Sequence, residues 1–245
     1  MATYFIEKSA VRAQEIIIEG ELHHHLAAVL RLRSGEELTL SDGETVYRGT
    51  VAAVSGSALT VTVRDSGPPL TELPVEVTLL QALPKGDKMD SIVRQCTELG
   101  VSRIIPMQTA HCDVKLKADR AAARVARWQK IAAAAAEQSG RGRIPRVELP
   151  CTPEQALSLL APDVKLLFFY EHERQCSYKQ ALAGPDAPGY ALIIGPEGGF
   201  SADEAALLRQ RAGGAISLGP RILRTETAGA AALAAWIYEK GAGRV

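Results

Sequence analysis

Between Arg64 and Pro74 the chain changes its hydrophobic period, and that change sets its architecture. The stretch Arg64-Asp-Ser-Gly-Pro-Pro-Leu-Thr-Glu-Leu-Pro74 carries three prolines and a glycine, which interrupt both helices and sheet ladders. Before it the segments are short and β-like. Glu37-Leu-Thr-Leu40, Thr45-Val-Tyr-Arg-Gly-Thr-Val51 and Ala58-Leu-Thr-Val-Thr-Val63 alternate or run apolar, and the turn sequences Ser41-Asp-Gly-Glu44 and Ser55-Gly-Ser57 separate them. One helix interrupts them from Glu21 to about Leu32, because Leu22, Leu26, Val29 and Leu30 fall on one stripe. The reading for residues 1–70 is a small β-barrel. After the break, segments of helical period alternate with buried-looking runs: a strand over Val75–Leu83, a helix over 87–99, a strand over Val101–Gln108 and a helix over 119–138. Strands near 165–170, 190–194 and 215–218 follow, and a final helix runs from about Thr225 to Lys240 with Leu233, Trp236 and Ile237 on its apolar face. Such alternation predicts an α/β domain over 75–245, a mostly parallel sheet with helices on both faces.

Several function classes drop out early. No run approaches the ~18 apolar residues of a membrane helix, and Met1-Ala-Thr-Tyr-Phe-Ile-Glu-Lys8 lacks the order of a secretory signal. A cytoplasmic protein is expected. The cysteines at 96, 112, 151 and 176 never form C-x-x-C and read as reduced thiols. His23, His24 and His25 invite a metal, but consecutive helix residues point about 100° apart and do not close on one ion, so none is expected. Formal charge is zero, which argues against bulk attraction to nucleic acid. Its distribution is uneven: six basic against ten acidic residues over 1–74, and nine against four over 112–149. That basic block includes Lys115 and Lys117, then Arg120, Arg124, Arg127 and Lys130, which recur at helical spacing and so share a face. A solvated helix face explains it as simply as a partner does.

Chemistry is expected in the last sixty or so residues. Tyr190-Ala-Leu-Ile-Ile-Gly-Pro-Glu-Gly-Gly-Phe200 and Leu218-Gly-Pro-Arg-Ile-Leu-Arg-Thr-Glu-Thr-Ala228 each take a short apolar run into a glycine, a turn and a helix start. Open α/β sheets present backbone N–H groups to a ligand in this way, beyond the carboxyl ends of their strands. No Gly-Lys-Ser/Thr follows the glycines, which excludes a P-loop, and they come too late in the chain for a dinucleotide fingerprint. Two readings stay open on the residues alone. Gly195, Gly198 and Gly199 let backbone approach a flat ligand, with Glu197 accepting hydrogen bonds from it; or the stretch is a plain turn into a helix capped by Ser201 and Glu204.

The two segments together resemble the SPOUT superfamily of RNA methyltransferases, and within it the family that methylates N3 of a uridine in 16S ribosomal RNA. Leu83-Pro-Lys-Gly-Asp-Lys-Met89, Thr97-Glu-Leu-Gly-Val101, Arg127-Trp128, Glu137-Gln-Ser-Gly-Arg-Gly-Arg-Ile-Pro145 and His25 with Val29-Leu-Arg-Leu-Arg33 extend the resemblance in order over nearly the whole chain. It implies a PUA-like N-terminal barrel, a C-terminal domain threaded into a deep trefoil knot, a homodimer, and S-adenosylmethionine bound in the knot. On this chain the cofactor would meet Phe169 and Tyr170 in the strand end Phe169-Tyr170-Glu171, the loop Gly195, Pro196, Glu197, Gly198 and Gly199, and the loop Leu218, Gly219, Ile222, Leu223 and Thr225. Arg224 and Arg221 are the candidates to stabilise a uracil anion and Glu226 the candidate proton acceptor, with bracing of the loop an equal alternative for each. The implied partner is 16S rRNA on the small ribosomal subunit, contacted by Arg31, Arg33, Lys85, Lys88, Arg141 and Arg143. A different RNA target within the superfamily and a non-catalytic RNA-binding relative are the competing readings.

Overall fold

The computed structural model describes residues 2–113 and 118–240; Lys115 and Lys117 of the basic block lie outside the described residues. The chain forms two compact units. One comprises the residues up to Glu72 together with Ala136–Ile144, the other Leu73–Ala135 and the residues from Pro145 onward.

In the first unit β1 (Thr3–Phe5), β2 (Val11–Arg12) and β3 (Glu15–Glu19) precede a short helix, α1 (Gly20–His24). β4 (Glu37–Ser41), β5 (Val46–Val54) and β6 (Ala58–Gly67) follow, and the six strands pair in the order β1-β4-β5-β6-β3-β2. The result is a curled sheet, a half-barrel, where the sequence predicted a barrel. Its concave core holds Ile16, Ile18, Leu38, Leu40, Val51, Leu59 and Val61, the inward residues of alternating strands, together with Leu26 from the helical segment. The predicted helix 21–32 is shorter: α1 passes into a single π-helical turn, His25–Val29, and Arg31 then takes a left-handed φ of 58°. Leu22 and Leu26 pack on the sheet, whereas Val29 and Leu30 are exposed because the helix ends beside them. The 136–144 segment docks tightly. Gly142 approaches Pro69 so closely that a Cβ there would lie 2.3 Å from the proline side chain, and Ser41 Oγ donates to the Gly142 carbonyl at 2.6 Å.

The second unit begins with β7 (Glu76–Ala82), α2 (Lys88–Glu98), β8 (Arg103–Met107) and α3 (Ala118–Gln138), whose last turn belongs to the first unit. Short elements come next: β9 (Arg146–Val147), α4 (Pro153–Ser158), β10 (Lys165–Phe168) and α5 (Tyr178–Leu182). The chain closes with β11 (Gly189–Ile194), α6 (Ala202–Ala212) and α7 (Thr225–Glu239). The five strands form a sheet in the order β10-β11-β7-β8-β9, every pair parallel. Every residue of β11 is buried, as expected of a parallel strand covered on both faces. α7 packs on α2 and β11, and its Trp236 meets Tyr190 edge-on at 5.1 Å between ring centroids. The strand predicted near 215–218 is reduced to two single-residue bridges, Phe169 with Ile216 and Ser177 with Ser217. Gly213 and Gly214 before it and Gly219 after it all sit at positive φ, which leaves the backbone extended for too few residues to sustain a ladder.

Candidate functional site

The topology selects the place. β7 starts the sheet, the chain runs outward through β8 and β9, then returns to lay β10 and β11 on the opposite side. Strand order therefore reverses between β7 and β11, and in open α/β sheets the crevice at the carboxyl ends beside such a reversal takes ligands. A cavity of about 450 Å³ opens there, within the range of small-molecule sites.

Its walls come from three segments that leave strand ends. Phe169, Tyr170 and Glu171 follow β10; Gly195, Pro196, Glu197 and Gly199 follow β11; residues 216–225 close the third side and lead into α7. After β11 the chain turns sharply: Gly199 N donates to the Pro196 carbonyl at 3.0 Å, and Gly199 takes a φ of 68°. Ser201 then caps α6 in a capping box with Glu204. The stretch is a capped turn, and the inner side of that turn lines the cavity. The outer side is held by the loop after β8, where His111 Nδ1 lies 3.0 Å from the Gly198 carbonyl and Ala110 N donates to Glu204 at 2.8 Å. Gly198 faces that loop. A Cβ at 198 would meet His111 at 3.0 Å, and the residue does not line the cavity.

Thr225 locks two walls to the sheet. Buried at the first position of α7, its Oγ1 donates to the Gly195 carbonyl at 2.7 Å and accepts from Gln81 Nε2 of β7 at 2.9 Å. Thr225→Val keeps the shape but leaves both partners short of a bond in a buried place, so unfolding free energy is expected to fall by about 1–3 kcal/mol; a urea titration measures it, and an unchanged midpoint would refute the link.

Charge is organised beside the glycine turn. Lys88, at the start of α2, places Nζ 2.7 Å from Glu197 Oε1 and 3.3 Å from Glu226 Oε2. The Lys85 backbone N–H adds a bond to Glu197 at 3.2 Å. Burial works to raise the Glu197 pKa, but the bonds from Lys88 and backbone N–H groups outweigh it and hold the carboxyl below its ordinary range. The same bond to Glu197 raises Lys88 above the ordinary lysine value.

The sequence-predicted residues sort into three groups. Phe169, Tyr170, Gly195, Pro196, Glu197, Gly199, Leu218, Gly219, Arg221, Ile222, Leu223, Arg224 and Thr225 line one cavity. Arg221, Ile222 and Arg224 are exposed on it, and the Arg224 side chain is 83% exposed with Nη1 only 4.0 Å from Glu226 Oε1. Glu226 does not line the cavity; its carboxylate is engaged with Lys88. Lys88, expected to meet RNA, lines the cavity, while Lys85 is exposed and pairs with Asp113 at 2.6 Å.

The other four cations belong to the first unit. Arg31 and Arg33 are exposed, and the Arg143 guanidinium donates to the Gly43 carbonyl at 3.1 Å. Arg141 departs from its expected role: it is 3% exposed and ion-paired with Glu72, so it cannot present its charge to a partner. His23 is buried with Nε2 3.0 Å from the Ser55 carbonyl, and His25 lies beside the Tyr4 ring. Among the described residues no group of three or more His, Cys, Asp or Glu could hold a metal, and no helix is long and apolar enough to cross a membrane. Sequence patterns did not single out Arg174, Ser217 or Ala228 as lining residues; Arg174 and Ser217 lie outside the two glycine motifs, Ala228 is the last residue of the second, and the bridges at Ile216 and Ser217 bring their segment to the cavity.

Comparison with known proteins agrees with this layout. The RNA methyltransferase domain family matches residues 71–237, and the RNA methyltransferase PUA domain family matches residues 18–64. Ribosomal RNA small subunit methyltransferase E of Bacillus subtilis is 34% identical over 98% of this chain and 97% of its own. The enzyme of that designation from Synechocystis is 35% identical over 91% of this chain and 75% of its own. Among solved structures, ribosomal RNA small subunit methyltransferase E from Neisseria gonorrhoeae bound to S-adenosyl methionine superposes with a TM-score of 0.85 at 31% identity, covering 97% of both chains. A putative methyltransferase from Legionella pneumophila in complex with bound SAM gives 0.82 at 31% identity, again over 97% of both chains.

Proposed function

The chain belongs to the RNA methyltransferase family, and we propose that it is a cytoplasmic, S-adenosylmethionine-dependent methyltransferase of small-subunit ribosomal RNA that modifies N3 of a uridine in 16S rRNA. The observation that carries this reading is the cavity itself. Turned glycine backbone, buried apolar walls from Phe169, Ile194 and Ile216, and a volume of about 450 Å³ suit a flat nucleoside with a short polar tail. S-adenosylmethionine would supply an electrophilic methyl group on a sulfonium. Gly195, Gly199, Leu218 and Gly219 would hold it largely through backbone groups, and Phe169 and Leu223 would keep water from the reacting centre. The family's trefoil knot would involve the turn 195–200 and the segment 216–225.

Uracil N3 bears a proton at neutral pH and becomes a good nucleophile only as that proton leaves. A cation beside O2 or O4 stabilises the developing anion. Arg221 and Arg224 stand on the open side of the cavity, where an RNA base would enter, and we assign them this role. Glu226 braces Lys88 in this account and is not the base. Because Arg224 is largely solvated, Arg224→Ala is expected to lower kcat about tenfold with little change in cofactor affinity, below the loss for a buried oxyanion donor; single-turnover kinetics beside calorimetry would check the split. α7 turns Ala234, Ala235 and Tyr238, the last 87% exposed, toward solvent. Such an apolar outward face suits a second copy of the chain, so we assign a homodimer, which sedimentation would test.

The decisive experiment is transfer of labelled methyl from S-adenosylmethionine to purified small subunits lacking the modification, beside free rRNA, with nucleoside mass spectrometry. 3-Methyluridine is the expected product. Label on another nucleoside would overturn the specificity, and no label on either substrate would overturn the activity.

A further inference from the structure

We propose that Glu171 makes the cavity prefer a positively charged ligand over the same ligand without its charge, and so favours the methyl donor over its uncharged thioether product. The inference rests on the reaction proposed above. Two carboxylates line the cavity, Glu171 and Glu197. Glu197 is ion-paired with Lys88 at 2.7 Å. Glu171 is not: among the described residues it pairs with no lysine or arginine, and its nearest basic group is the exposed imidazole of His172, 3.9 Å away. The adjacent guanidinium of Arg174 is committed elsewhere, donating to the backbone carbonyls of Glu171 at 2.5 Å and Glu173 at 2.8 Å. The Glu171 side chain is about one-third exposed, and its Oε1 sits against the inner side of the glycine turn, 2.3 Å from where a Cβ on Gly199 would stand. An ionised carboxylate held there without a cation is a standing attraction for a positive ligand.

Methyl transfer changes the one property that this carboxylate senses. The acceptor nitrogen forms a bond to the methyl carbon, the carbon–sulfur bond breaks, the sulfur keeps that electron pair and becomes neutral, and the acceptor's proton passes to solvent. A carboxylate within reach of that charge strengthens binding of the donor and loses its hold once the methyl has gone, which favours product exchange. For unit charges several ångströms apart in a partly solvated cleft, Coulomb attraction corresponds to about a tenfold difference in affinity.

Calorimetry on the full chain, wild type and Glu171→Gln, with S-adenosylmethionine and separately with S-adenosylhomocysteine, tests this. The substitution is expected to lower the preference for the donor about tenfold, almost wholly through weaker donor binding, and Glu171→Asp, which keeps the charge, is expected to retain most of the preference. Equal weakening toward both ligands would show the carboxylate binding a part that both share, and an unchanged ratio would show that it plays no part; either overturns the proposal. Wild-type protein that binds neither ligand would sink the cofactor reading itself, and this inference with it.

Discussion

Gly199→Val is expected to weaken S-adenosylmethionine binding at least a hundredfold while the protein stays folded. Two effects combine at this residue. Its φ of 68° lies in the left-handed region, where a side chain costs about 1–2 kcal/mol and a β-branched one more. The strain falls on the turn that lines the cavity, which a valine would reopen. The added side chain also displaces the Glu171 carboxylate, whose Oε1 would lie 2.3 Å from the new Cβ. That collision alone is cheap, because a glutamate tip can swing aside; the space it swings into is the cavity. Gly198→Val is the informative control. Its side chain would press on His111 outside the cavity, with contacts at 3.0 and 3.2 Å, and its backbone has no left-handed φ. A modest loss of affinity is expected there. Calorimetry beside far-UV circular dichroism separates the cases, and tight binding by Gly199→Val would refute the assignment of this turn to the cofactor.

The contrast between these neighbouring glycines shows where sequence reading stops. Local pattern located the turn because a buried apolar run, Ala191-Leu-Ile-Ile194, ended in glycine and proline ahead of a capping box. Which glycine faces the cavity depends on the sign of φ at one residue, and residue type does not encode that. The same limit governs charge. Lys88 and Glu197 lie 109 residues apart, so composition showed a surface lysine where the fold makes a cavity wall. Secondary structure follows a related rule. β7, α2, β8 and α7 were legible within two residues of their ends because each buries a full face. β9, with two residues, and α5, with five, were not, although Ser177 and Gln180 form a capping box that marks the start of α5. β3 was missed for another reason: Ile16-Ile17-Ile18 blurs the alternation, and only Ile16 and Ile18 point into the half-barrel.

Arg141 is the case in which burial reverses a sequence inference. A Gly-Arg-Gly-Arg stretch in a basic block reads as a nucleic-acid loop, yet the Arg141 guanidinium donates to both oxygens of Glu72, a carboxylate that also accepts from Gly142 N at 3.1 Å and Arg143 N at 3.2 Å. One glutamate thereby ties the 136–144 segment to the end of the half-barrel chain. Glu72→Ala strips the carboxylate from a guanidinium that is 4% exposed, and removal of one partner of a buried pair costs about 3–5 kcal/mol because the remaining charge keeps its desolvation penalty. Denaturant unfolding of the full chain is expected to show a loss of that size. The double variant Glu72→Leu with Arg141→Leu removes both charges and is expected to recover much of it, since well-packed apolar pairs often match buried ion pairs. The pair of experiments separates a brace from a contact. If Arg141 served RNA, the double variant would lose rRNA binding and Glu72→Ala would leave stability nearly unchanged. With a brace, Glu72→Ala loses stability first, and activity in the refolded double variant survives.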